Sequence, residues 1–420
     1  MEECSQDIKR SQLTNGIEIV TEYIPSAKTI YIGFLVDVGS RDEDDDLQGC
    51  SHFIEHLLPK GTKNRTAHEI DPLIELKGGD LNADTDRDIT RYYAWILKED
   101  MESTIEILSD MVQNPLFDNK DIKTERSVIL SEISDLEDDP SELIMERFVK
   151  VVWKGSRSSH PTGGTKQTVK KITRDQINEF FQRHYIPSNI LVTAVGNLDH
   201  QNLVEKVDSQ FHDGGFKQPR LERDHPRYVP KDKFFPKNWN QTYLCIVAEG
   251  VPYGAKDRAT LEMITTYLGE GFGSKLVQEI REKKGLVYDI EVANQNIKDA
   301  GLFSIFASTK RKHFKEVVKI CHNELENIKS GIEPQLLEET KRKSVSYLIR
   351  NNEDIKNKFD QLGYALHLLG RPEYISEQIQ NIHSVTSEQT AELATKIFDE
   401  NRLSLIAFYP KSFRGKLGYP

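Results

Sequence analysis

Cys50-Ser51-His52-Phe53-Ile54-Glu55-His56-Leu57-Leu58 sets two histidines four residues apart, with a glutamate directly before the second. On a helix, 100° per residue leaves His52 and His56 about 40° apart on one face. Leu47, Cys50, Ile54, Leu57 and Leu58 fall on roughly the opposite face, an apolar stripe that turns toward a core. The imidazoles therefore face elsewhere, and two neutral rings so placed can share a zinc ion at about 2.0–2.1 Å each. Glu55 stands beside the pair, where a carboxylate can activate a metal-bound water. The order H-x-x-E-H inverts the more familiar H-E-x-x-H.

A catalytic zinc usually takes three protein ligands and leaves one position to water. Another element must supply the third. Asp121–Leu136 predicts a helix, with Ile122, Ile129, Ile133 and Leu136 at i, i+7, i+11 and i+14. Glu125 and Glu132 lie two turns apart on it and project from nearly the same side. One carboxylate can ligate zinc while the other orients a histidine.

These residues, with others in order along the chain, resemble the pitrilysin/insulinase family of metallopeptidases, in its branch of short subunits akin to the mitochondrial processing peptidase. The matching runs are Gly39-Ser40-Arg41, His52–His56, Lys60-Gly61-Thr62, Gly78-Gly79, Asn82-Ala83-x-Thr85, and Glu125-Arg126-x-Val128-Ile129 ending at Glu132. The resemblance implies His52, His56 and Glu132 as zinc ligands, Glu55 as general base and Glu125 as the partner of a ligand. It also implies that Gly79, Asn82 and Ala83 lie at a sheet edge where an extended peptide adds as a strand. In the second half, Arg281 and Tyr288 stand at the spacing with which the family holds substrate. Read without the family, that run is a basic helix end with Gly285 as its C-cap. Pro59, Asp84 and a shortened His160–Gly164 loop depart from the pattern and bear on substrate preference.

The resemblance further implies two such chains facing each other around a chamber that admits short or unfolded peptides. A homodimer is the first expectation, and a heterodimer with a related subunit the alternative. A non-catalytic structural subunit is a third reading, against which the complete ligand set speaks. In the family's split pairs the metal motif and the Arg/Tyr pair sit on different subunits; this chain carries both.

Bulk properties agree with a folded protein of two domains. The chain has 420 residues, a net charge of −11 and 37% hydrophobic residues, which argues against a nucleic-acid backbone as partner. No run of 18 apolar residues is present, so no membrane span is expected. The N-terminal MEECSQDIKRSQLTNG has no apolar core of a secretory signal. Cys4, Cys50, Cys245 and Cys321 are far apart and form no C-x-x-C pair. They read as reduced thiols, and the protein as cytoplasmic.

Along the chain, Gly16–Glu22, Lys28–Val38, Thr90–Leu97 and Asn189–Val195 predict strands, with Ile30, Ile32, Phe34, Val36 and Val38 on one face of the second. Ala67–Leu76, Met101–Val112 and Thr173–His184 predict helices, the last with a threonine cap. The order then recurs. Residues 172–197 pair with 385–410, 88–98 with 299–309, and 124–132 with 340–348, so a unit of about 210 residues is duplicated. The expectation is an α+β chain of two similar domains, each a mainly antiparallel sheet packed by helices. The zinc-binding domain spans residues 1–216 and a linker 217–238. The second domain, 239–420, lacks the metal site, because no histidine stands in ITTYLGEGFGSKLVQEI near residue 265. Its Gly269-x-Gly271-x-Gly273 run lacks nucleotide-loop spacing and predicts a tight turn before a helix.

Overall fold

The computed structural model describes residues 6–211 and 223–411. Its first sheet holds β1 (Asp7–Gln12), β2 (Glu18–Tyr23), β3 (Thr29–Val36), β4 (Asp80–Thr85), β5 (Thr90–Leu97) and β6 (Ile190–Gly196), in the order β1-β2-β6-β3-β5-β4. The second holds β7 (Lys233–Lys237), β8 (Thr242–Glu249), β9 (Val287–Asn296), β10 (Gly301–Thr309) and β11 (Ser404–Pro410), in the order β7-β11-β8-β10-β9. Among the described residues, only the pairs β2–β6 and β7–β11 are parallel. With β1 set aside, both sheets run through one parallel and then three antiparallel pairs, with equivalent strands in equivalent places. The helices repeat as well. Arg174–His184 and Ser387–Ile397 each begin on a threonine, Thr173 or Thr386, whose hydroxyl accepts from the amide of Gln176 or Gln389. The chain is an α+β protein of two similar halves.

Both faces of each sheet are covered, and β3 shows how one strand serves two cores. Ile30, Ile32, Phe34 and Val36 turn to the larger core of the first unit. Tyr31 and Leu35 turn to the other face, against Phe359, Leu362 and Leu366 of the Ile355–Leu369 helix. Gly33 permits that approach: an added Cβ would lie 2.7 Å from Phe359 Cζ and 2.8 Å from Tyr93 Cβ. In the second sheet, Leu244, Ile246, Phe303 and Ile305 face one core. Cys245, Val247, Phe306 and Phe408 face Leu143, Phe148 and Val152 of the Pro140–Val152 helix.

The compact units are therefore not the two halves of the chain. One comprises Met1–Asp135, His160–Asp224 and Asn351–Tyr374; the other comprises Leu136–Ser159, His225–Arg350 and Ile375–Pro420. Each takes a helical segment from the opposite half. Of the linker expected at 217–238, residues 217–222 lie outside the described residues, and 233–237 is a strand, β7, hydrogen-bonded to β11. Arg223 belongs to the first unit and is locked there, its guanidinium 3.0 Å from Asp37 and 2.6 Å from Asp42. The helix expected at 67–76 is two pieces, a 3-10 turn at Ala67–Glu69 and a short helix at Asp71–Glu75. Pro72 has no amide hydrogen to continue the first piece and instead opens the second. Among the described residues no helix is long and apolar enough to cross a membrane. Cys4 lies outside them; Cys50, Cys245 and Cys321 are buried free thiols.

Candidate metal centre

The Cys50–Leu57 helix starts at Gly49, whose φ of +94° suits a residue without Cβ. Its free amides are met by a buried carboxylate. Glu43 accepts from the amides of Gly49 and Ser51, both at 2.7 Å, although burial pushes its pKa up to about 8. Cys50, Phe53, Ile54, Leu57 and Leu58 are buried, and Leu47 packs partly against the same core. The histidines are thereby turned to the other side.

Opposite them runs the Asn119–Asp138 helix, its buried face made by Ile122, Glu125 and Ile129. Arg126 fixes it to the end of the Lys166–Val169 helix and the turn after it, donating to the carbonyls of Val169 and, at 2.8 Å, Ile172. Glu132 Oε2 then lies 3.8 Å from His52 Nε2 and 3.5 Å from His56 Nε2, and the two imidazole nitrogens are 3.2 Å apart. Among the described residues this is the one group of three possible ligands gathered within 4.8 Å. Tetrahedral bonds of about 2.0–2.2 Å place neighbouring donor atoms roughly 3.3–3.6 Å apart, so the spacing fits a zinc ion.

The surroundings fit as well. His56 Nδ1 is 3.1 Å from Glu125 Oε2, and Lys60 Nζ is 3.0 Å from the other oxygen of that carboxylate. The Glu125 carboxylate orients the ring, with Nδ1 toward it and Nε2 toward Glu132. His52 is kept neutral by burial and then by His56, which lower its pKa to about 4. Its Nδ1 is buried without a partner, against Gly163, where an added Cβ would sit 3.6 Å away. The His160–Gly164 loop lies on the start of this helix. A Cβ at Gly164 would meet the carbonyl of Gln48 at 2.3 Å.

Glu55 Oε2 accepts from the Thr85 hydroxyl at 2.5 Å. Burial raises its pKa to about 7, with Asp84 and Glu132 adding to the rise and Thr85 and His56 opposing it. Thr85 ends β4, which pairs only with β5 and so forms one edge of the sheet. Asn82 is exposed and Ala83 half-buried on that strand, and Gly79 precedes it, where a Cβ would come 2.9 Å from Ile74 Cγ2 and 3.0 Å from the Trp95 carbonyl. Asp84 faces the other way. It holds Arg91 through two bonds of 2.7 and 2.8 Å, and Arg91 reaches Asp360 at 2.8 Å. That ion group fixes the acid that stands in this run.

Arg281 and Tyr288 belong to the second unit. Arg281 sits near the end of the Val277–Glu282 helical turn, its guanidinium 5.7 Å from the ring centroid of Phe272. Gly285 closes that turn, its φ +60° and its amide donating to the Arg281 carbonyl at 2.9 Å. Tyr288, on β9, is 81% exposed. Gly269 ends the Arg258–Gly269 helix, and residues 270–274 make the turn before the Val277–Glu282 segment. Three contributors were missed in the sequence. Lys60 and Thr85 stood inside quoted motifs but had no partner in view, and Glu43 had only an acidic loop to mark it.

Residues 18–166 match the model of the insulinase family, peptidase family M16, and residues 171–344 match that of the peptidase M16 inactive domain. A Rickettsia felis protein named an uncharacterized zinc protease is 32% identical over 410 residues, 96% of this chain and 98% of its own. The chain belongs to the insulinase (M16) family. An uncharacterized zinc protease of Streptomyces coelicolor is 31% identical over 402 residues, covering 93% of this chain and 87% of its own. Among solved structures, a protease from Helicobacter pylori shares the fold at a TM-score of 0.88 and 22% identity, over 97% of this chain and all of the other. For this M16 chain the "inactive domain" match falls mostly on the half without a histidine pair.

Proposed function

We propose that this M16 chain is a zinc metallopeptidase that cleaves extended peptides, with its chemistry at His52, His56, Glu132 and Glu55. The observation that carries the reading is the convergence of three ligand atoms at 3.2–3.8 Å beside the half-buried carboxylate of Glu55. Zinc, when bound, supplies a Lewis acid that polarises a carbonyl and lowers the pKa of water. The chain's own residues do the rest. Glu125, tied to Lys60, orients the His56 ring. Glu55 takes a proton from water and returns it to the leaving amine, a task suited to a group titrating near 7. The open edge of β4 offers amides and carbonyls to a peptide in extended form. The grip that the resemblance gives to Arg281 and Tyr288, and the pairing of two chains, belong to the same proposal.

The test separates ligand from base. The purified chain should hold about one zinc and cleave peptides from a random library, with products read by mass spectrometry. His56→Ala should lose the metal. Glu55→Gln should keep it and lose turnover, since a base is removed and no ligand. Loss of zinc from Glu55→Gln as readily as from His56→Ala would overturn the assignment.

A further inference from the structure

Glu55 is a flexible side chain asked to hold one orientation beside the histidines. The Cys50–Leu57 helix alone does not fix it, because the three side-chain torsions of a glutamate leave its carboxylate free to swing. What fixes it comes from β4, the strand packed beside this helix. Thr85 Oγ1 lies 2.5 Å from Glu55 Oε2, within the range of a charge-assisted O–H···O⁻ bond. Thr85 is itself held: its branched side chain has few rotamers, and its backbone is in register with Thr90 of β5. The Thr90 hydroxyl in turn donates to the Val38 carbonyl at 2.9 Å. A chain of fixed points therefore runs from the sheet interior to one oxygen of Glu55.

We infer that Thr85 is a positioning residue for the peptidase reaction: its hydroxyl binds Oε2 of Glu55 and so presents Oε1 as the oxygen that receives the proton of water. This rests on the peptidase reading given above. Thr85 also ends β4, the edge strand on which the peptide lies in that reading. One strand thus lines up the substrate and the base together, and the aim of Glu55 is set by the same backbone that sets the peptide's register. Thr85 touches neither the scissile bond nor the metal; it acts through Glu55.

Two variants and two readouts test this. Thr85→Val keeps the shape and removes the donor; Thr85→Ser keeps the donor. In the zinc-loaded protein, Thr85→Val should lose roughly 10- to 100-fold in kcat, the scale of a misdirected catalytic group, with KM and zinc content unchanged. Thr85→Ser should recover to within about threefold of wild type, well inside that loss. Separately, the carboxyl carbon resonance of Glu55 in protein labelled with 13C-glutamate can be assigned by its absence from Glu55→Gln. It should shift in Thr85→Val and stay in place in Thr85→Ser. Wild-type kcat in Thr85→Val, an unmoved resonance, or a rise in KM alone would each overturn the inference. If the wild-type chain binds zinc and cleaves no peptide, the peptidase reading has failed, and the resonance still decides whether Thr85 holds the carboxylate.

Discussion

A local pattern reveals a residue's role when its partners are neighbours in sequence or on one helix face. His52 and His56 share a face by helical arithmetic, and Glu125 and Glu132 by two further turns. The pattern fails where the partner arrives by folding. Glu43 meets Gly49 and Ser51 only because a loop closes over the helix start, and Thr85 meets Glu55 only because β4 packs beside the helix. His184 is a residue of this second kind, 5% exposed against Phe180, and no spacing marks it. Burial holds its pKa down to about 4, from 6.5. Between those values the unfolded chain binds a proton that the folded chain refuses, so this group's contribution to stability falls as pH falls. Glu43 and Glu55, raised by burial, act with the opposite sign, and a single variant isolates the histidine. The stability of metal-free wild type minus that of His184→Gln should drop by roughly 1–2 kcal/mol between pH 7 and pH 5. Urea unfolding at the two pH values measures it. An unchanged difference would mean that His184 titrates normally.

At the scale of elements, β5 has the bounds its sequence predicts, and β3 and β6 lie within a residue or two of theirs, because branched and aromatic runs between turns suffice to place them. What such runs do not show is which neighbour covers the second face. β3 looks like a strand buried on one side, with Tyr31, Gly33 and Leu35 left over. In the structure those three meet the Ile355–Leu369 helix, more than 300 residues later in the sequence. Gly33 is the sharpest probe of that contact. Its φ is ordinary for a strand, so an alanine there is strained only by what it touches. It touches the end of a buried phenyl ring at 2.7 Å and a neighbouring Cβ at 2.8 Å; the first is hemmed in and the second rides on the backbone. Gly33→Ala should therefore cost about 1–3 kcal/mol, the usual range for an overpacked core. Paired with Phe359→Leu, which withdraws the ring atom, it should cost less than the sum of the two single changes. Thermal or urea melts of the three variants decide it, and additive costs would place the clash elsewhere.

For the whole molecule, the repeat was readable and the exchange of helices was not. Three segments at near-constant spacing announce a duplication, and the two sheets confirm it strand by strand. A cut through the expected linker then looks as if it should free two domains. The packing argues otherwise. Residues 1–216 contain Val20, Leu35, Ile89 and Val195, whose cover is Phe359, Leu362 and Leu366 from the second half. Residues 239–420 contain Cys245, Val247, Phe306, Ile406 and Phe408, whose cover is Leu143, Ile144, Phe148, Val149 and Val152 from the first. Burying one large apolar side chain contributes about 1.5–3 kcal/mol. Three to five of them removed at once rival the roughly 5–15 kcal/mol by which a protein is stable at all. Each half also keeps the helix it should have given away, with its apolar face bare. Residues 1–216 produced alone should thus aggregate or bind a hydrophobic dye, and should not hold zinc tightly despite carrying every ligand. Residues 223–420 supplied with it during refolding should restore both a native circular dichroism spectrum and the metal. A first half that folds and binds zinc by itself would show that its outer sheet face tolerates water, and that the exchanged helices are ornament to the fold and not part of its support.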